Sequence, residues 1–262
     1  MSDHETFEVT CPSGLRGLVR TLLVGDVSSL ANQANKKAKD PLGNLFRDVW
    51  ERTIDPGIYG AEDFVKEGER IDKWERILLG DRTFLIFELR RLTYGDEFYF
   101  TIPCKACRNK INWKIDLKEL EVSGLSEEAL TKVQSEGIKA EFKRTLPKSG
   151  KTVGLQLLDG LAQRQVEAMQ SMGQGAVSEA AVRVRLKTME GATSPGERKK
   201  FVQNMSILDL EWLREQWTDL DIHVQETIEI ECDSCGADQE ILIPTDERFF
   251  SLKSARPKPE KR

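Results

Sequence analysis

Two Cys-x-x-Cys turns, Cys104-Lys-Ala-Cys107 and Cys232-Asp-Ser-Cys235, constrain this chain more than any other feature. Each lies between two runs of alternating apolar residues: Phe98 to Ile102 and Ile111 to Ile115 around the first, Ile228 to Ile230 and Ile241 to Ile243 around the second. A period of two marks a strand, so each cysteine pair reads as the turn of a β-hairpin. A two-residue spacer lets both sulfurs of such a turn face one ion, and two turns supply the four thiolates of a tetrahedral zinc site. Gly236 follows Cys235 at the usual place for a positive φ, and Arg108 holds that place, less suitably, in the first turn.

Other uses of these cysteines fit less well. A redox Cys-x-x-Cys belongs at a helix N-terminus, where the dipole lowers a thiol pKa, and both motifs here sit between strands. Thiols buried without metal, as small hydrophobes, are a further alternative. The expectation is a closed site of Cys104, Cys107, Cys232 and Cys235 holding one structural Zn2+ per chain, with no open position for catalysis. The fifth cysteine, Cys11, lies in a strand-like stretch and reads as a buried apolar residue.

The second turn repeats the first without a gap, 128 positions on, and the agreement extends beyond the cysteines. At that offset Asp81 meets Asp209, Phe84 meets Trp212, Leu85 meets Leu213, Leu92 meets Leu220, Phe100 meets Ile228 and Ile102 meets Ile230. Earlier, the strand and turn from Phe7 through Pro12 to Gly14 correspond to those from Phe142 through Pro147 to Gly150. Each is followed by a strand ending in a Leu-Leu pair, Leu22-Leu23 and Leu157-Leu158. The order strand–turn–strand, helices, capped helix and cysteine hairpin therefore reads as occurring twice. The expected fold is α+β and internally duplicated, with a zinc-ribbon-like site joining the halves. The first repeat is expected over 1–122, the second over 123–250 and a flexible basic tail over 251–262.

Local signals fill in the helices. Gly25 to Ser29 reads as a cap before a helix through Ala34, and Asp40-Pro41 starts a second helix. Ile54 to Gly57 ends that helix, and Asp81 is expected to cap the next, whose stop is Gly95. In the second half, Asp159 to Met189 reads as mostly helical, weakened at Gly173 and Gly175. Gly191 to Gly196 reads as a surface loop, and the next helix is expected to be capped near Ser206 or Asp209.

Nothing in the sequence assembles a catalytic set. His4 and His223 lack motif neighbours that would orient a base. Lys148-Ser-Gly-Lys-Thr152 ends like a phosphate loop, but Thr145 stands where the first glycine is needed and a strand follows. The net charge of −5 argues against a protein whose main work is coating nucleic acid. No apolar run approaches a membrane span, and the N-terminus lacks the layout of a signal peptide, so cytoplasmic synthesis is the default expectation. Among the five tryptophans, Trp50 and Trp212 read as core, whereas Trp113 in the hairpin suits either core or interface.

The run from Leu78 to Phe98, Leu-Leu-Gly-Asp-Arg-Thr-Phe-Leu-Ile-Phe-Glu-Leu-Arg-Arg-Leu-Thr-Tyr-Gly-Asp-Glu-Phe, leads straight into Cys104-x-x-Cys107. With the Pro12-Ser-Gly turn and the Ile115-Asp-Leu-Lys-Glu-Leu120 segment, it resembles the baseplate hub and tail-assembly family of T-even-like contractile-tailed bacteriophages. The resemblance covers most of residues 7–160. It implies a non-enzymatic structural or assembly protein, part of the baseplate hub or a chaperone for it, acting through protein–protein contacts. The implied partners are other tail or baseplate proteins, with the tape measure and tube as candidates. The implied location is the host cytoplasm during assembly and the tail baseplate of the virion. The extended second half, second knuckle and basic tail depart from that pattern. The rival expectation is a zinc-ribbon nucleic-acid-binding factor, whose knuckles and Lys/Arg tail would contact phosphate.

Overall fold

The computed structural model describes residues 5–35, 39–245 and 249–250. His4 and the expected basic tail, 251–262, lie outside them. Strands β1 (Thr6–Thr10) and β2 (Arg16–Arg20) form a hairpin whose turn passes through Gly14 at φ 85°. Helices α1 (Val24–Asn35) and α2 (Pro41–Val49) follow. Asp40 caps α2 by accepting from the Gly43 N–H at 2.9 Å, and Pro41 occupies the first helical position, where no N–H is needed. Strand β3 (Trp50–Asp55) returns antiparallel to β2 and completes a three-stranded sheet. Helix α3 (Leu79–Tyr94) ends at Gly95, whose φ of 89° only glycine adopts cheaply. The hairpin of β4 (Glu97–Pro103) and β5 (Lys110–Asp116) carries the first cysteine pair at its tip.

Strand β6 (Val122–Ser123) and helix α4 (Glu127–Glu136) lead into the second half. There β7 (Phe142–Thr145) and β8 (Thr152–Leu155) form a hairpin, and α5 (Gly160–Glu167) and α6 (Gln174–Arg185) follow. Strand β9 (Leu186–Met189) completes a second three-stranded antiparallel sheet on β8. Helices α7 (Pro195–Gln203) and α8 (Ile207–Leu220) precede the short β10 (His223–Val224). Strands β11 (Thr227–Glu231) and β12 (Asp238–Leu242) form the second cysteine hairpin.

The structure departs from expectation in several elements. Helix α1 begins at Val24, so the expected cap from Gly25 to Ser29 lies inside it. Strands β3 and β9 occupy stretches read as a helix end and a helix. Gly173, where weakening was expected, takes φ 96° and separates α5 and its trailing turn from α6. Helix α7 begins inside the expected loop: Ser194 and Glu197 exchange the two hydrogen bonds of a capping box around Pro195.

Asp81 does not cap its own helix. It is the third residue of α3 and fully buried, and it turns to the first hairpin. One of its oxygens accepts from the Ser13 N–H at 3.2 Å and the other from the Tyr59 hydroxyl at 2.7 Å. Asp209, third residue of α8 and equally buried, accepts from the Lys148 N–H at 2.7 Å, while Ser206 caps the helix. In each half a carboxylate inside the helix start thus ties that helix to the turn of the opening hairpin.

One hydrophobic cluster draws on both halves, from Val9 to Phe250, with Phe46, Trp50, Tyr59, Trp74, Phe142 and Phe249 among its fully buried side chains. Strand β6, at the junction of the halves, pairs with β10, Ser123 with His223 and Val122 with Val224. The start of α3 also meets the start of α5, where Leu78 bridges Asp159. A second, smaller cluster lies between the two cysteine hairpins.

Candidate metal centre

The two hairpins are built alike to the residue. Ile102 pairs with Ile111 and Pro103 with Lys110 in the first; Ile230 pairs with Gln239 and Glu231 with Asp238 in the second. Each tip is closed by equivalent bonds. The Cys104 N–H donates to Asn109 O at 2.8 Å and the Arg108 N–H to Cys104 O at 3.1 Å. The Cys232 N–H donates to Ala237 O at 3.0 Å and the Gly236 N–H to Cys232 O at 2.8 Å. Arg108 and Gly236 take the same left-handed conformation, φ 65° and 68°, and Arg108 is the sole non-glycine residue with positive φ among those described. That conformation costs a side-chain-bearing residue about 1–2 kcal/mol, so the turn geometry prevails over the preference of Arg108.

The tips meet face to face. The four Sγ atoms of Cys104, Cys107, Cys232 and Cys235 all lie within 4.8 Å of one another. Cys104 to Cys235 and Cys107 to Cys232 are each 3.8 Å. Thiolates held ~2.3 Å from a tetrahedral ion stand ~3.8 Å apart, whereas a disulfide needs ~2.05 Å. All four are free thiols, and the cluster can hold one metal ion. Cys104 and Cys232 are buried and Cys235 is exposed, so the site sits at the protein surface with its inner ligands covered.

Backbone donors favour a thiolate at this centre. The Cys107 and Ala106 N–H groups draw the Cys104 thiol down to about 6 against the opposing effect of burial. The Ala237 N–H also pulls on Cys235, but its contacts with Cys107, Cys232 and Cys104, with burial, hold it at about 12.

Apolar residues support the centre from below. Ile111, Ile230 and Ile241 are buried with Cys104 and Cys232, and Phe100, Ile102, Trp113 and Ile228 pack against them half-buried. Gln239 adds a bond that the sequence reading missed: its side-chain carbonyl accepts from the Lys105 N–H at 2.8 Å, across the two tips. Lys105 Nζ reaches Glu240 O at 2.7 Å. The signal was present, because Gln239 stands where the first hairpin has apolar Ile111.

The remaining sequence candidates fall elsewhere. Cys11 is buried beside Asp81, and burial raises its thiol well above the ordinary value. His223 is exposed in β10. Lys148 to Thr152 turns between β7 and β8, so two strands flank it, not the strand and helix of a phosphate loop. Trp50 is buried as expected, whereas Trp212 is half-buried on α8. Among the described residues no helix is long and apolar enough to cross a membrane.

A family model described as T4 bacteriophage base plate protein matches residues 5–251. No curated protein and no solved structure matches the chain. A match over nearly the whole chain carries the sequence resemblance from a few motifs to both halves, and the chain belongs to the T4 bacteriophage base plate protein family.

Proposed function

We propose that this baseplate protein is a non-enzymatic scaffold of the baseplate hub, or a chaperone for its assembly, and that one structural Zn2+ clasps two halves of a duplicated chain. The observation that carries the reading is the meeting of four thiols from hairpins 128 positions apart, at the spacing of a tetrahedral site. Cys104, Cys107, Cys232 and Cys235 would each give one thiolate, which leaves no open position for catalysis. Zinc would supply cross-linking and no reaction step.

Three matches support the duplication: the shared element order, the identical hairpin registers and the equivalent roles of Asp81 and Asp209. We place the halves at 1–122 and 123–250. The family match supports a place in the virion tail and contacts with other phage proteins. Tube and tape measure are the partners we propose for a hub position, with assembly in the host cytoplasm. Among the described residues no observation favours the nucleic-acid reading.

Metal analysis of purified chains tests the clasp. About one zinc per chain is expected, lost together with stability in Cys104→Ser and in Cys232→Ser. Zinc retained in both variants refutes a shared site. Fractionation of an infected culture tests the role. A hub protein co-purifies with tails and particles, whereas an assembly chaperone stays in the lysate.

A further inference from the structure

Two pieces of the fold that touch once within the chain are exposed where their counterparts stand, and we infer that a second copy of this chain covers them. The inference rests on the duplication proposed above.

The contact within the chain joins the start of α3 to the start of α5. Besides the Leu78–Asp159 bridge, the Leu79 N–H donates to Leu158 O at 2.8 Å. The fit is close: a Cβ on Gly160, the first residue of α5, would lie 2.9 Å from Cζ of Arg82 on α3.

The counterparts follow from the hairpins. Phe7 pairs with Val19 as Phe142 pairs with Leu155, and five residues beyond each partner a helix begins, at Val24 and at Gly160. By this register Leu22 to Val24 match Leu158 to Gly160, one residue on from the Leu-Leu match read in the sequence. Ser206 to Leu210 match Leu78 to Arg82 through Asp209 and Asp81. At four of these counterpart positions the apolar side chains face solvent: Ile207 is 70%, Leu208 67%, Leu23 39% and Val24 86% exposed, whereas Leu22 is buried and Leu210 half-buried against the core. They are four of the eight exposed large hydrophobics among the described residues, so the exposure is concentrated and not scattered. Single exposed apolar residues need no partner; grouped ones mark a contact surface.

A copy of this chain is the partner that carries both pieces. The α1 start of one copy would meet the α8 start of another as α5 meets α3. The Ile207 N–H, a first-turn donor that a helix leaves without an internal partner, stands where the Leu79 N–H reaches Leu158 O. Leu210 and Val24 replace Arg82 and Gly160, so the new contact is apolar on both sides. A contact between unlike surfaces links copies in series unless rotation closes it into a ring.

Sedimentation of the full chain, from low to high micromolar, tests the inference. The expected mass rises with concentration above the 29.8 kDa of one chain. Val24→Lys or Leu208→Lys, both at exposed positions, should return it to one chain with an unchanged circular dichroism spectrum. Mixing Val24→Glu chains with Leu208→Lys chains should restore association. A one-chain mass at every concentration, or association that survives both lysine variants, overturns the inference. Zinc content of the same samples separates the failures. Zinc at one per chain without association sinks this inference alone; association without zinc leaves it standing and sinks the clasp.

Discussion

Asp81 and Asp209 occupy equivalent places, yet their acidities move in opposite directions. Burial lifts Asp81 to about 6 from its ordinary 3.8, although Ser13 and Tyr59 donate to it. For Asp209, burial raises the pKa, but Lys148, Ser149 and Ser206 outweigh it and hold the carboxylate below its ordinary range. The signs for stability follow. Between pH 4 and 6 the folded state keeps the Asp81 proton that the unfolded state has lost, so this group's contribution to stability is present below pH 4 and is lost as pH rises through 6. Asp209 contributes stability above its ordinary pKa that is lost on acidification. A shift of two units corresponds to about 3 kcal/mol. Asp81→Asn keeps an acceptor for Ser13 and removes the titration. Urea unfolding of both proteins across this range should show wild-type stability falling relative to the variant by about 2–3 kcal/mol from pH 4 to 7. A constant difference would mean that Asp81 titrates normally.

At the scale of elements, the cysteine hairpins were legible and the third strands were not. Alternation over Phe98 to Ile102 and Ile228 to Ile230 announces strands, and β4, β5, β11 and β12 lie there. In β3 the buried positions fall three apart, at Trp50 and Thr53, and in β9 again three apart, at Leu186 and Met189. The cause is physical: pairing of both strands is interrupted by register shifts, and a bulge spoils the period of two that identifies a strand. The same irregularity recurring in both halves is a further match between them. It also gives Gly17 a purpose. A Cβ there would lie 2.2 Å from the Trp50 ring and 2.7 Å from Arg52 O, so glycine lets Trp50 lie across β2. Gly17→Ala should therefore cost about 1–3 kcal/mol through forced displacement of a buried indole. Denaturant midpoints check this, and an unchanged midpoint would mean that β3 does not seat Trp50 against β2.

For the molecule as a whole, the offset of 128 carried the pairing of knuckles, and the structure adds how the halves share one interior. Phe249 packs edge-on against Phe87 and Phe98 of the first half, and the Tyr94 hydroxyl donates to Phe250 O at 2.8 Å. Contacts this remote in sequence leave no periodic trace, so they were not legible beforehand. They matter for what zinc is expected to do. A zinc finger peptide unfolds without its metal because it has no other core, but here the main cluster spans both halves, whereas only the small cluster lies between the hairpins. Removing zinc with a chelator should then loosen the clasp without unfolding the scaffold. Hydrogen exchange is expected to rise in β4, β5, β11 and β12, and protection to persist in the sheets of β1 to β3 and β7 to β9. The chelated protein should still unfold in one cooperative transition, at lower temperature. Loss of protection across both three-stranded sheets would instead make zinc a condition of folding for the entire chain. No change in the hairpins would show that Gln239, Lys105 and the buried isoleucines hold the tips together by themselves.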